Sequence, residues 1–219
     1  DRDLARAARE LREAAGRILQ TLQADPAAAR RRLTDRQRTA TLRDYYRLVE
    51  RALGGDAHAD ALLDLAEKRR KITRLDALLL EVDGYTGKLY RATQGRTERL
   101  LRLTADSAYY RQVFGFERGL GQYEFTRLNP GALEALLRED WSGRPWSDRL
   151  WGRVRDLDKR VKGAVRQGFL QGWGVRELQA ELQVQTGQTR ANVRRLARTE
   201  AAHAAEQAAL LAYEDAGVA

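Results

Sequence analysis

The sequence predicts an all-α protein with an elongated, coiled-coil-like N-terminal region and a compact C-terminal helical module. Three observations predict it. Apolar residues recur at spacings of three and four along most of the 219 residues, as one face of a helix requires. Only three prolines occur, Pro26, Pro130 and Pro145, each placed as a helix start or linker. Strand signals, in which apolar and polar residues alternate between turns, are nearly absent.

The elements follow in order. Leu4, Ala8, Leu11, Ala15, Ile18 and Leu22 make an alternating four-three seam, a coiled-coil pattern about three heptads long. Asp25-Pro26 ends that helix and opens the next. The spacing returns at Leu42, Tyr46, Val49 and Leu53, and Gly54-Gly55 stops it. A third helix is expected from Asp56 to Val82, broken by Gly84 and Gly87. A fourth is expected from Lys88 to Leu103 and a fifth from Asp106 to Phe114. The stretch GFERGLGQYEFTRLNPG reads as a loop, with a short helix after Pro130 and a boundary at WSGRPWSD. These elements divide the chain into an N-terminal helical region, 1–138, and a C-terminal module, 139–219.

In the C-terminal module, Ser147 is expected to cap a long helix whose apolar face is Leu150, Val154, Leu157, Val161, Val165 and Phe169. Gly172 and Gly174 end it, and a short helix carries Val175, Leu178 and Leu182. QTGQT reads as a turn with Gly187 in the left-handed cap position, and the last helix begins at Thr189. In that helix Val193, Ala197, Ala204, Ala208 and Leu211 share one stripe, and Glu200 falls inside it. A buried carboxylate without a partner costs several kcal/mol, so Glu200 requires a donor on a neighbouring helix. Arg149, Arg153 and Lys162 are the candidates.

Composition narrows the function classes. Apolar residues make up 43% and charged residues 32%, enough to bury a core. No apolar run is long enough to span a membrane, and no secretory signal is visible at the start. Cysteine is absent, which excludes disulfides, thiolate metal sites and a cysteine nucleophile. The net charge of +9 favours polyanionic partners. The densest basic stretch is ARRRLTDRQR, where Arg30, Arg31, Arg32, Arg36 and Arg38 stand against Asp35 alone. It is the candidate DNA contact, since such a cluster neutralises several phosphates, and the plainer reading is a solvated helix face. A second, weaker basic run, KRRK, occupies 68–71.

Catalytic patterns are missing from the sequence. Asp56, His58 and Asp60 can be drawn as a metal site, but Asp56 serves better as a helix cap. Asp156 and Asp158 are two apart on a helix and do not face each other. Four tryptophans, Trp141, Trp146, Trp151 and Trp173, sit where helices end or are capped and suit packing better than base stacking. No enzyme activity, metal or cofactor is expected. The segment GVRELQAELQVQTGQTRANVRRLART also admits a helix-turn-helix, which would make the chain a DNA-binding regulator.

The segments WSDRLWGRVRDL, GFLQGWGVRELQAEL and ANVRRLARTEAAHAAEQAALLAYEDAGV together resemble the phage head-morphogenesis, or Mu F-like minor capsid, family. The family's Ser-x-Arg-hydrophobic-Trp start corresponds to Ser147, Arg149, Leu150 and Trp151. Its glycine turn corresponds to Gly172, and its Arg-Thr-Glu to Arg198, Thr199 and Glu200. The likeness covers roughly residues 139 to 219, and Val175 departs from the small polar residue the family places after the turn. The family's domain usually continues further, so the module is expected to be truncated at its C-terminal end. The resemblance implies a virion protein, present in multiple copies inside the phage head near the portal and in the host cytoplasm during assembly. It implies binding to the portal protein, with the major capsid or scaffolding protein and packaged double-stranded DNA as further partners. The corresponding roles are head assembly, genome retention or ejection, without a membrane.

Overall fold

The computed structural model describes residues 2–54, 56, 58–60, 62–63, 72–120 and 127–217. Seven helices carry the fold among them: α1 (Arg2–Ala24), α2 (Pro26–Arg30), α3 (Asp35–Leu53), α4 (Arg74–Leu120), α5 (Pro130–Arg138), α6 (Trp146–Gln171) and α7 (Val175–Asp215). The class is all-α, as the spacing predicts. The basic run 68–71 and residues 121–126 of the expected loop lie outside the described residues, as does part of the helix expected over 56–82.

Local chemistry sets the starts. The Asp25 carboxylate accepts from Ala28 N at 2.8 Å, and Pro26 fills the first position of α2, where no N–H is needed. Thr34 and Gln37 form a reciprocal capping box on α3, with Gln37 N donating to Thr34 Oγ1 at 3.3 Å and Thr34 N to Gln37 Oε1 at 3.0 Å. Thr73 and Asp76 repeat it on α4. Asn129 caps α5 through Gly131 N, followed by Pro130. Helix α6 begins at Trp146, so Ser147 lies inside its first turn rather than at the cap. Asp148 N and Arg149 N bond instead to the Pro145 carbonyl.

Several expected breaks are absent. Helix α4 runs unbroken through Gly84 and Gly87, through the gap expected between Leu103 and Asp106, and on past Phe114 to Leu120, so residues 115–120 of the expected loop are helical. Helix α7 likewise runs through Gly187, which removes the turn that a helix-turn-helix needs. A helical glycine costs only about 1 kcal/mol relative to alanine. Burying each large apolar neighbour, such as Leu79, Val82, Leu89 and Tyr90, gains roughly 1.5–3 kcal/mol and outweighs it. Gly172 does end α6, with φ +72°.

The chain packs as two compact units, one of Asp1–Thr93 with Gly152–Arg190, the other of Gln94–Trp151 with Ala191–Ala219. Residue 139, the boundary expected from sequence, lies between α5 and α6, whereas each unit draws on two separate stretches of chain. The cause is helix length, since α4, α6 and α7 each contribute one segment to either unit. The first unit buries Leu11, Ala15, Ile18 and Leu22 of α1, as the seam predicts, together with Leu19. They pack with Leu157, Val161, Val165 and Phe169 of α6 and with Leu178 and Leu182 of α7. The second unit packs Leu101, Ala105, Tyr109 and Val113 of α4 against Ala204, Ala208 and Ala212 of α7. Alanines on one partner let the other's larger side chains fill the space between the axes.

Candidate functional site

Two buried ionic clusters and one basic stretch are the features of this fold that can carry specific chemistry. The first cluster lies in the second unit. Leu196, Glu200, Ala204, Ala208 and Ala212 make a buried stripe on α7 at intervals of four. Glu200 is 4% exposed, and Arg149 of α6 is its cation, through Nη2 to Oε1. The second carboxylate oxygen accepts from Trp141 Nε1 at 3.0 Å. The Arg149 guanidinium also lies 5.7 Å from the centre of the Trp141 ring. His203, one turn beyond Glu200, stacks on the same indole at 4.4 Å and 24°. Its Nε2 comes within 3.5 Å of Glu139 Oε2 but without hydrogen-bond geometry. The arrangement fixes α7, α6 and the 139–145 connection in one register. A carboxylate with one oxygen on a guanidinium and the other on an indole N–H is held in place, so it ties the elements that carry those donors together.

Of the other residues that carry the family resemblance, Arg198 and Thr199 are exposed, and Thr199 Oγ1 donates to the Arg195 carbonyl at 3.1 Å. Trp151 is half-buried. Beyond Gly172, Trp173 N donates to the Gly168 carbonyl at 2.8 Å, and the Trp173 carbonyl accepts from Gln23 at 2.7 Å.

The second cluster, in the first unit, does not emerge from the sequence patterns above. Asp83 of α4 and Asp158 of α6 are buried, and the half-buried Arg155 and Lys162 meet them. Lys162 Nζ lies 2.8 Å from Asp83 Oδ2 and 2.9 Å from Asp158 Oδ2. Arg155 Nη1 lies 2.7 Å from Asp83 Oδ1 and 3.3 Å from Asp158 Oδ2. Thr86 Oγ1 stands 3.1 Å from Asp158 Oδ1, and the Tyr45 hydroxyl bonds to Asp83. Two acids face two bases, so the group is formally neutral. Burial, then the charge of Asp83, pushes Asp158 above the usual carboxylate range, while Lys162 and Arg155 pull it back. Burial and Asp83 raise the Tyr45 hydroxyl as well, so it stays a donor. A signal existed in the sequence: Asp158 and Lys162 stand four and eight residues after Val154, on the buried face of α6.

The basic stretch does not form one helix face. Arg30 ends α2, Arg31 and Arg32 lie in the connection, and Arg36 and Arg38 belong to α3. The connection is tied down by two backbone bonds, Leu33 N to the Ile72 carbonyl at 2.9 Å and Arg74 N to the Arg31 carbonyl at 3.1 Å. Arg30, Arg31, Arg32 and Arg36 are exposed, with the Arg30 guanidinium 6.0 Å from the Phe169 ring centre. Arg38 is half-buried and has a buried Nε without a partner, so it is the least available of the five.

Asp56 accepts from His58 N at 3.0 Å and sits 3.5 Å from Arg91, a capping geometry, while His58 packs edge-on against Tyr90. No group of three or more His, Asp or Glu suited to a metal ion occurs among the described residues. No described helix is long and apolar enough to cross a membrane.

Fold and clusters together define an all-helical basic protein whose buried charges join helices. Compared with family models, with curated proteins and with solved structures, the chain matches none.

Proposed function

We propose that the chain works by binding, as a minor capsid or head-morphogenesis protein of a phage. In this reading it holds the portal and touches packaged DNA inside the head, and so aids assembly, genome retention or ejection. The observation that carries the reading is the Arg149–Glu200 pair. Arg149 belongs to the WSDRLW segment and Glu200 to the RTE segment, the two parts of the sequence that most resemble the family. The two segments that carry the resemblance meet at this contact, which supports reading them as parts of one module. The exposed arginines of 30–36 and the +9 charge support a surface facing a polyanion. The regulator reading loses its support with the continuous α7.

Mass spectrometry of washed particles from the encoding phage tests the proposal. The chain should be present in several copies and should stay with the portal ring when heads are disrupted. Its absence from particles that contain portal and capsid protein would reject it.

A further inference from the structure

The C-terminal half of α4 carries an exposed face that no described residue of the second unit covers. Leu103 is 62% exposed, Phe114 59% and Leu100 42%. Arg96, Ser107, Arg111 and Arg118 are exposed as well. At about 100° per residue, all seven side chains fall within roughly 80° of arc. The face is therefore a single stripe, about 33 Å long at the rise of an α-helix. Leu100 and Leu103 sit toward its N-terminal end and Phe114 toward its C-terminal end, with Arg96, Arg111 and Arg118 interleaved and Ser107 at the midpoint. Beside Phe114, Gly115 has open space where a Cβ would stand, so the helix backbone is bare at that point.

We propose that this stripe docks an amphipathic helix of another protein, one whose apolar seam is flanked by Asp or Glu. Leu100, Leu103 and Phe114 offer an apolar track to the seam of a helix laid along it, and the interleaved arginines fit acidic flanks. A second copy of this chain is a poor occupant. In parallel pairing Arg96 would meet Arg96, and in antiparallel pairing centred on Ser107 it would meet Arg118. Nucleic acid would use the arginines but leave Leu100, Leu103 and Phe114 unmatched. The proposal rests on the stripe alone and stands whether or not the chain is a head protein.

The test uses the full chain and two synthetic helical peptides with the same leucine seam, one flanked by glutamates and the other by lysines. Fluorescence anisotropy should show binding of the glutamate peptide, at least about tenfold tighter than its lysine twin. Leu103→Glu should weaken the glutamate peptide by about tenfold or more with an unchanged circular dichroism spectrum, because Leu103 is mostly exposed. The double variant Arg111→Glu with Arg118→Glu should reverse the peptide preference. Failure of the glutamate peptide to bind, equal binding of both peptides, or indifference to Leu103→Glu would each overturn the proposal. So would a dimer in sedimentation equilibrium, or binding to anionic phospholipid vesicles or to duplex DNA, that Leu103→Glu abolishes.

Discussion

Glu200 has its charge met by Arg149 and its second oxygen met by Trp141, so removing it leaves a partly buried guanidinium and an indole N–H without their acceptor. Glu200→Ala should therefore lower unfolding stability by roughly 3 kcal/mol, the scale for breaking a buried pair from one side. Glu200→Gln keeps an acceptor for the indole and should lose less. Urea denaturation of both variants checks the order, and an unchanged midpoint for Glu200→Ala would remove the clamp from the account. Asp158 carries a pH prediction. Its carboxyl lies above the ordinary 3.8 in the fold, so the native state keeps that proton to higher pH than the unfolded chain does. Its contribution to stability is present below the unfolded value and is lost as pH rises through the folded value. The stability of the parent chain relative to Asp158→Asn should decline from about pH 4 upward. Denaturation of both proteins across pH 4 to 7 measures this, and a difference that grows with pH contradicts it.

At the scale of elements, the glycines of α4 divide into two kinds. A Cβ at Gly84 would overlap the Leu48 side chain, and one at Gly87 would stand 3.0 Å from Ala52 Cβ and 3.2 Å from Leu53 Cγ. These two let α3 approach α4 closely. Gly95 has nothing within 4 Å of a Cβ. The same substitution should therefore have opposite signs along one helix. Gly84→Ala and Gly87→Ala should destabilise by about 1–3 kcal/mol through overpacking, less the helix-propensity gain. Gly95→Ala should stabilise by about 0.5–1 kcal/mol through that gain alone. Thermal melting of the three variants decides it, and a common sign would show that packing at Gly84 and Gly87 is looser than these distances require.

For the whole molecule, the excess of positive charge matters more than any single cation. The connection between α2 and α3 is held by backbone bonds to Ile72 and Arg74, so Arg30, Arg31, Arg32 and Arg36 are presented from a defined segment. Changing these four to Gln should weaken duplex DNA binding without sequence preference. The salt slope of log K should fall by roughly 0.9 for each phosphate that is no longer neutralised. Arg38→Gln alone should change DNA affinity less, because its side chain is half-buried. Affinity and slope that survive the fourfold change would dismiss this stretch as the DNA-facing surface.

Local sequence alone determined the helical class, the buried faces of α1 and α6, and the helix starts at Asp25-Pro26 and Pro130, because each depends on spacing or residue type within one short segment. It also determined that Glu200 needed a cation, because an acid among alanines on one stripe has no local partner. Which cation it meets was left to tertiary structure, since Arg149, Arg153 and Lys162 stand within fourteen residues on one helix and only the packing of α6 against α7 chooses. The unbroken paths through Gly84, Gly87 and Gly187 were decided at that level too, where burial exceeds a cost of about 1 kcal/mol per glycine. Asp83 and Asp158 come from different helices 75 residues apart, so their four-charge cluster exists only once α4 and α6 lie side by side.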